Sequence, residues 1–447
     1  VCWISFMLAR EVGGRMQRRE FLRLAGGAAV WPLAAQAAAG PDLDIDGVPL
    51  PSDAGMASVP RSATDLQRRW AGVWVGAWNG GLKHILLVER IGEDGTAGIV
   101  FAEADNPSTR QKARWRRLEA VASGRSLNVA VSGPPAAAIS ATPFTATYDM
   151  DDDGQLDAVF KSGDRIARAA MRRTDLASLT SRDAVVPWSR GTSELLQTDL
   201  REDGSPIRLE TVVFKPAGPG PFPLAVFNHG STGKSPSPEL VKQTWVSPEI
   251  ADFLNKRGWL VAFPQRRGRG KSDGFCDEEL GRNGKPKHAC DPDALRDADR
   301  ALADIDAAIA VLRRREDVAP GPVLIGGHSR GGALSIAYAG MHPEQISGVI
   351  NFVGGWVGER CAGSDLINQT LFERGARYGR PTIWLYGHGD SFYSIAHSRK
   401  NFAAFESGGG HGRFLEFDRL RDVGHNVIHY PDLWAGPVGE YLDSTAG

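Results

Sequence analysis

Three residue types that together perform acyl transfer occur in the order Ser329, Asp390, His425. A serine hydroxyl is a poor nucleophile unless a base lies beside it and a third group orients that base. The serine has the sharpest local signal. Val323-Leu324-Ile325-Gly326-Gly327-His328-Ser329-Arg330-Gly331-Gly332 is an apolar run that ends in G-x-S-x-G, and 333–339 continues as a helical pattern. That context is the strand, turn and helix of a nucleophile elbow. Gly327 and Gly331 stand where a Cβ would strike the neighbouring strand or helix, so the tight turn holds Ser329 Oγ out above a sheet.

The partners are sought beyond the carboxyl ends of strands, where active groups gather in α/β sheets. The strand at 382–386 leads through Gly387-His388-Gly389 to Asp390, and the strand at 413–417 leads through a loop to Gly424-His425. His429 competes with His425 as base, and Asp422 with Asp390 as its orienting group. His388, His397 and His411 read as polar surface residues. A tetrahedral intermediate also needs donors aimed at its oxyanion. The backbone N–H of Arg330, directly after the nucleophile, is one candidate. The other is the N–H of Ser231 in Asn228-His229-Gly230-Ser231, which follows the strand at 224–228. His229, Arg267 and Arg269 are possible substrate-binding residues; arginines in such a turn equally serve to tie it to neighbouring carboxylates.

The elements that must position these groups fall into two grammars. From 207 onward strands alternate with helices, the signature of a mainly parallel sheet. Strands are expected at 207–214, 224–228, 259–264, 323–326, 348–353, 382–386 and 413–417, and helices at 248–256, 294–315 and 332–341. Before that the pattern is β. Trp70, Gly72, Trp74, Gly76 and Trp78 alternate strictly, and further strands read at 84–91, 96–102, 126–131, 144–150 and 156–160. Short strands at close spacing suggest a small antiparallel barrel or sandwich. The three indoles read first as core, with a glycan- or lipid-facing platform as the alternative. The expected organisation is a leader at 1–37, a flexible linker at 38–63, a small antiparallel β domain at 64–175, a connector at 176–200 and an α/β domain at 201–447.

Gln17-Arg18-Arg19-Glu20-Phe21-Leu22-Arg23 resembles the twin-arginine export motif, followed by a mildly apolar stretch and the small residues Ala35-Gln36-Ala37. Residues 1–15 read as upstream sequence. The expectation is export through the twin-arginine translocation machinery to the periplasm or beyond. A net charge of −1 gives no reason to expect nucleic acid as partner. No apolar run reaches the roughly 18 residues that span a bilayer, so no stable membrane insertion is expected. Of four cysteines, Cys2 precedes the export segment. Cys276 with Cys290 is the plausible bridge in an oxidising compartment, and Cys361 competes for either. No zinc spacing occurs, and the Asp-rich run 149–157 lacks the bidentate Glu of a calcium loop, so it reads as a hairpin turn. Gly233-Lys234-Ser235 and Gly270-Lys271-Ser272 lack the earlier Gly of a nucleotide loop. No metal or organic cofactor is expected.

Residues from roughly 200 to 440 resemble an α/β-hydrolase of the dienelactone hydrolase-like group, and are also similar to the catalytic domains of acyl-peptidases. The matching pieces are His229-Gly230, Arg267-Gly268-Arg269-Gly270-Lys271-Ser272-Asp273-Gly274, the Ser329 elbow, Gly389-Asp390 and Gly424-His425. Dienelactone hydrolases proper carry a cysteine where Ser329 stands. The resemblance therefore implies an α/β-hydrolase fold (a mainly parallel sheet flanked by helices) preceded by a small all-β domain, and a serine esterase acting on a small-molecule ester. A peptidase on short or acylated peptides is the alternative within enzymes. A non-catalytic binding protein that uses the Trp-rich β domain is the alternative outside them.

Overall fold

The computed structural model describes residues 42–445, apart from 56–58, 79–81, 107–110, 132–142, 153, 164, 182–185, 187–190, 234–235, 288–292 and 419–423. The leader at 1–37, Cys2, Cys290 and Asp422 thus lie outside the described residues. Among the described residues no helix is long and apolar enough to cross a membrane.

Part of the expected flexible linker is structured. Strands β1 (Leu43–Ile45) and β2 (Val48–Leu50) form a hairpin around Asp46-Gly47, both with positive φ. That is the pair of left-handed residues a two-residue hairpin turn requires. Ile45, Val48 and Leu50 are buried against Val73, Val75 and Ile85, so alternate apolar residues anchor this piece.

Eight strands then follow as an antiparallel meander that closes on itself. They are β3 (Gly72–Trp78), β4 (Leu82–Ile91), β5 (Thr96–Glu103), β6 (Arg114–Ser123), β7 (Ser126–Val131), β8 (Phe144–Met150), β9 (Leu156–Ser162) and β10 (Arg165–Thr174), and β10 pairs back with β3. Of these, β6 and β10 are the two that sequence pattern does not announce, because arginines interrupt their apolar alternation. Helix α1 (Asp65–Trp70), held by a Thr64/Gln67 capping box, carries Trp70 into the barrel core. Trp70 and Trp74 are fully buried and Trp78 nearly so, making the indole row core and not an exposed platform. Space for it comes from small neighbours: a Cβ on Gly76 would lie 2.8 Å from Met171 Cγ.

A buried polar pair sits in that core. His84 Nδ1 lies 2.8 Å from the Ala102 carbonyl and Nε2 lies 2.9 Å from the Tyr148 hydroxyl. A neutral imidazole satisfies both: Nδ1–H donates to the carbonyl and Nε2 accepts from the phenol. Burial pushes the His84 pKa from the usual 6.5 down to about 3. The folded state therefore refuses a proton that the unfolded chain takes up below 6.5, and stability falls as the pH drops from 6.5 toward 3. The expected loss from this group is about 2 kcal/mol by pH 5. An NMR titration should find the His84 ring still neutral at pH 5; a midpoint near 6.5 would sink the assignment.

The second sheet has strand order β11-β12-β14-β13-β15-β16-β17-β18. Its strands are β11 (Thr192–Glu202), β12 (Ser205–Phe214), β13 (Leu224–Asn228), β14 (Leu260–Pro264), β15 (Val323–His328), β16 (Ile346–Phe352), β17 (Pro381–Gly387) and β18 (His411–Phe417). β11, β12 and β14 pair antiparallel and every later pair is parallel. The expected connector at 176–200 thus holds most of β11. It is an edge strand in which Leu196 alone is buried, so it lacks the apolar run of a central strand. The longer helices that follow are α2 (Pro248–Asn255), α3 (Ala294–Leu312), α4 (Arg330–Met341), α5 (Ser364–Gly375), α6 (Ile395–Ser407) and α7 (Pro431–Thr445). α3 buries Leu302, Ile305, Ile309 and Leu312 at spacings of three and four, the apolar face expected of it. Because β13 and β15 are neighbours, with Asn228 opposite Gly327, the loops after both strands open at the same edge.

Candidate active site

Ser329 stands between β15 and α4 with φ 55° and ψ −121° and is buried. Such a backbone is costly for a residue with a Cβ, and persists because its neighbours leave no alternative. Its N–H donates to the Phe352 carbonyl at 2.9 Å, while its own carbonyl accepts from Gly332 at 2.9 Å and Gly355 at 3.2 Å. The two elbow glycines are demanded by contact: a Cβ on Gly331 would fall 2.0 Å from the Asn228 oxygen, and one on Gly327 would fall 2.4 Å from the Gly331 carbonyl carbon. The obstacles are backbone atoms, which cannot rotate aside. Gly331→Ala is accordingly expected to destabilise the fold by about 3 kcal/mol, read as a lowered thermal unfolding midpoint.

The loops after β17 and β18 meet at two more glycines. A Cβ on Gly424 would come within 2.3 Å of the Gly387 oxygen, so these backbones touch. This contact brings Asp390 to His425: Oδ2 lies 2.8 Å from Nδ1. The other oxygen, Oδ1, accepts from the N–H groups of Phe392 (2.7 Å) and Tyr393 (3.1 Å). Asp390 is almost wholly enclosed, with a side chain 1% exposed against 16% for His425. The residue before Ser329 also reaches this segment. His328 Nε2 lies 2.7 Å from the His425 carbonyl oxygen, and the two rings are 4.9 Å apart. Burial, with His425 beside it, holds the His328 pKa far below 6.5, so the ring is neutral and donates from Nε2. Ser329 Oγ makes no hydrogen bond with His425; such bonds in substrate-free sites often form only when substrate arrives. Its side chain lies against the hydroxyl of Tyr393, a buried phenol whose pKa burial raises. Sequence pattern does not single out Tyr393, because an aromatic residue three positions after an Asp is too common a signal to use.

The competing histidines are engaged elsewhere. His429 is buried with Nδ1 3.0 Å from Glu249, and its carbonyl accepts from Arg168 of β10 at 2.9 Å. That bond ties the barrel to the segment Gly424–His429 that carries His425. His388 pairs with Glu416 and His397 with Asp365, while His411 opens β18 at the opposite end of the strand.

The loop after β13 crosses directly over Ser329. A Cβ on Gly230 would come within 2.9 Å of Ser329 Cβ, which is why the position has none. Among the described residues the Ser231 N–H has no acceptor. The Arg330 N–H is the first of α4, one of the donors a helix start leaves unpaired.

The expected substrate ligands are directed at protein partners. Fully buried His229 has Nδ1 2.8 Å from the Gly230 carbonyl and accepts from the Arg266 N–H at Nε2 (3.1 Å). Burial, and then Arg266 and Arg269 nearby, push its pKa far below 6.5. Arg267 pairs with Asp304 at 2.6 Å and Arg269 with Glu279 at 3.0 Å, both out of solvent. For these three the structural role, not substrate contact, is the one the geometry favours.

Cysteine use differs from the sequence expectation. Cys276 is a buried free thiol, so it does not pair with Cys290, and Cys361 is the disulfide-bonded residue. The partner of Cys361 lies outside the described residues. Burial, then the neighbouring Glu278 and Glu279, raise the Cys276 thiol pKa, which keeps it protonated and inert.

Residues 240–358 match the family described as serine aminopeptidase, S33. That span includes the elbow, and the match supports a hydrolase of the α/β type. Solved structures to which this chain is similar include Est1E from Butyrivibrio proteoclasticus with ferulic acid bound. It has 17% identity over 56% of this chain and 98% of its own, with a TM-score of 0.40. A putative dienelactone hydrolase from Klebsiella pneumoniae has 17% identity over 56% and 97%, with a TM-score of 0.38. The esterase Pf2001 from Pyrococcus furiosus has 14% identity over 57% and 90%, with a TM-score of 0.40. No curated protein matches this chain.

Proposed function

We propose that this protein is an exported serine hydrolase that cleaves carboxylic esters through an acyl-enzyme intermediate. The observation that carries the reading is the Asp390–His425 bond beside an elbow serine whose Cβ is roofed by Gly230. Ser329 Oγ attacks the ester carbonyl as His425 Nε2 takes its proton. Asp390 keeps the imidazole proton on Nδ1, so that Nε2 is free to act as base. The developing oxyanion is met by the N–H groups of Ser231 and Arg330. His425 then returns the proton to the departing alcohol, leaving an ester between the acyl group and Ser329. Water, deprotonated by the same histidine, releases the acid and restores the serine.

The test is an unbiased screen of esters, lactones and aminoacyl amides on the mature chain, with fluorophosphonate labelling and Ser329→Ala as control. Ester turnover with label on Ser329 is the expected result. An intact protein that takes no label and cleaves nothing would overturn it. The serine aminopeptidase family match over 240–358 favours a second reading, a peptidase on short or acylated peptides, which the amide arm of the screen detects. Export rests on the Arg18-Arg19 segment, and fractionation of cells with an Arg18→Lys/Arg19→Lys variant tests it.

A further inference from the structure

We infer that Glu279 is a positioning residue for the oxyanion hole, a role that rests on the hydrolase reading above. Past the end of β13 no strand ladder holds the loop His229-Gly230-Ser231-Thr232, and Gly230 gives it torsional freedom. A donor that wanders cannot stabilise an oxyanion, because aligning it then costs reorganisation at the moment of reaction.

The loop is fixed from both ends by one pair of glutamates. On the far side, Glu279 Oε2 accepts from the Thr232 N–H at 2.7 Å and from the Thr232 hydroxyl. On the near side, Arg266 donates to the His229 carbonyl at 2.9 Å while gripping Glu278 through two bonds of 3.0 and 2.9 Å. Only Gly230 and Ser231 stand between the two anchors. The same glutamate segment reaches the second donor, since Arg330 Nη1 bonds the Glu278 carbonyl at 2.7 Å. Residues 278–279 thus bind both halves of the hole to each other.

A buried carboxylate next to an oxyanion site should oppose the negative charge that forms there. Arg269 removes that objection: its Nη1 lies 3.0 Å from Glu279 Oε1, and both side chains are almost wholly enclosed. The pair presents little net charge to the site, while the carboxylate still makes charge-assisted bonds to Thr232. These commitments also explain why Cys276, Glu278 and Glu279, although close enough to hold a cation, are not read as a metal site. Each carboxylate already has a guanidinium.

The test measures kcat, KM and the inhibition constant of a trifluoromethyl ketone, whose adduct with serine places an oxyanion in the hole. Glu279→Ala should lower kcat about 10²-fold with KM within about threefold, and weaken the ketone in parallel. Glu279→Gln, which keeps an acceptor for Thr232, should recover most of that loss. Glu279→Asp keeps the charge and the Arg269 partner but retracts from Thr232, so it should lose kcat without losing stability. It serves if the alanine variant does not fold. Wild-type kcat in the aspartate variant, or a change confined to KM, would overturn the inference while leaving the hydrolase reading intact. A wild-type protein with no turnover and no label at Ser329 would overturn both.

Discussion

Ser329→Ala is expected to lower kcat on a carboxylic ester by about 10⁴–10⁶-fold while leaving the unfolding midpoint nearly unchanged. The side chain contributes one reacting atom, one contact with the Tyr393 hydroxyl and no hydrogen bond to His425, and alanine accepts the φ of 55° no worse than serine does. Deleting Oγ therefore removes the nucleophile without opening a packing defect. The residual rate reports what the oxyanion donors and substrate binding achieve alone. Single-turnover kinetics with mass spectrometry checks it: wild type should carry an acyl adduct on Ser329 and the variant none. Turnover within tenfold of wild type would show that another residue attacks.

Asp390→Asn is the second large effect, about 10⁴-fold in kcat with KM little changed. The geometry explains why an isostere should fail. Oδ1 accepts from two backbone N–H groups, at Phe392 and Tyr393, so the asparagine oxygen must take that position. Its NH2 then faces His425 Nδ1 and donates to it, which drives the imidazole proton onto Nε2. A histidine in that tautomer cannot take the serine proton. Labelling by fluorophosphonate should slow with hydrolysis, and the NMR shifts of the His425 ring should report the changed tautomer. Activity within tenfold of wild type would point to another orienting group, such as Asp422.

The barrel bears on both predictions through the bond from Arg168. Arg168 of β10 holds the His429 carbonyl, four residues past His425, and Glu249 at the start of α2 holds the His429 ring. The β strands before the second sheet therefore brace the turn that carries His425. That contact joins residues 261 positions apart, which no local pattern could announce.

Local steric rules made much of the site legible in the chain. The elbow reads from sequence because G-x-S-x-G between an apolar run and a helical one is a backbone requirement confined to a few neighbours. The central strands read for a similar reason: β13, β14, β15 and β17 are buried on both faces and carry continuous apolar runs. The order Ser329, Asp390, His425 and the Gly230 loop followed from strand ends. Within the barrel and the second sheet, three strands do not read: β11 at one edge of the second sheet, and β6 and β10 in the barrel. In β11 one residue is buried, and in β6 and β10 arginine breaks the alternation.

Tertiary structure alone decided what those residues face. It closed β10 onto β3, put the three indoles inside, and left Cys276 without a partner although its spacing to Cys290 suggested one. It set Arg267 and Arg269 on Asp304 and Glu279, and it set Glu279 against the loop that follows β13. The reason is the range of the forces involved. Backbone sterics and apolar periodicity act over a few residues and leave their mark in the string itself. A buried ion pair, a disulfide or a loop clamp is chosen by proximity in space, and the nearest partner in space lies tens or hundreds of residues away along the chain, as Arg168 and His429 do.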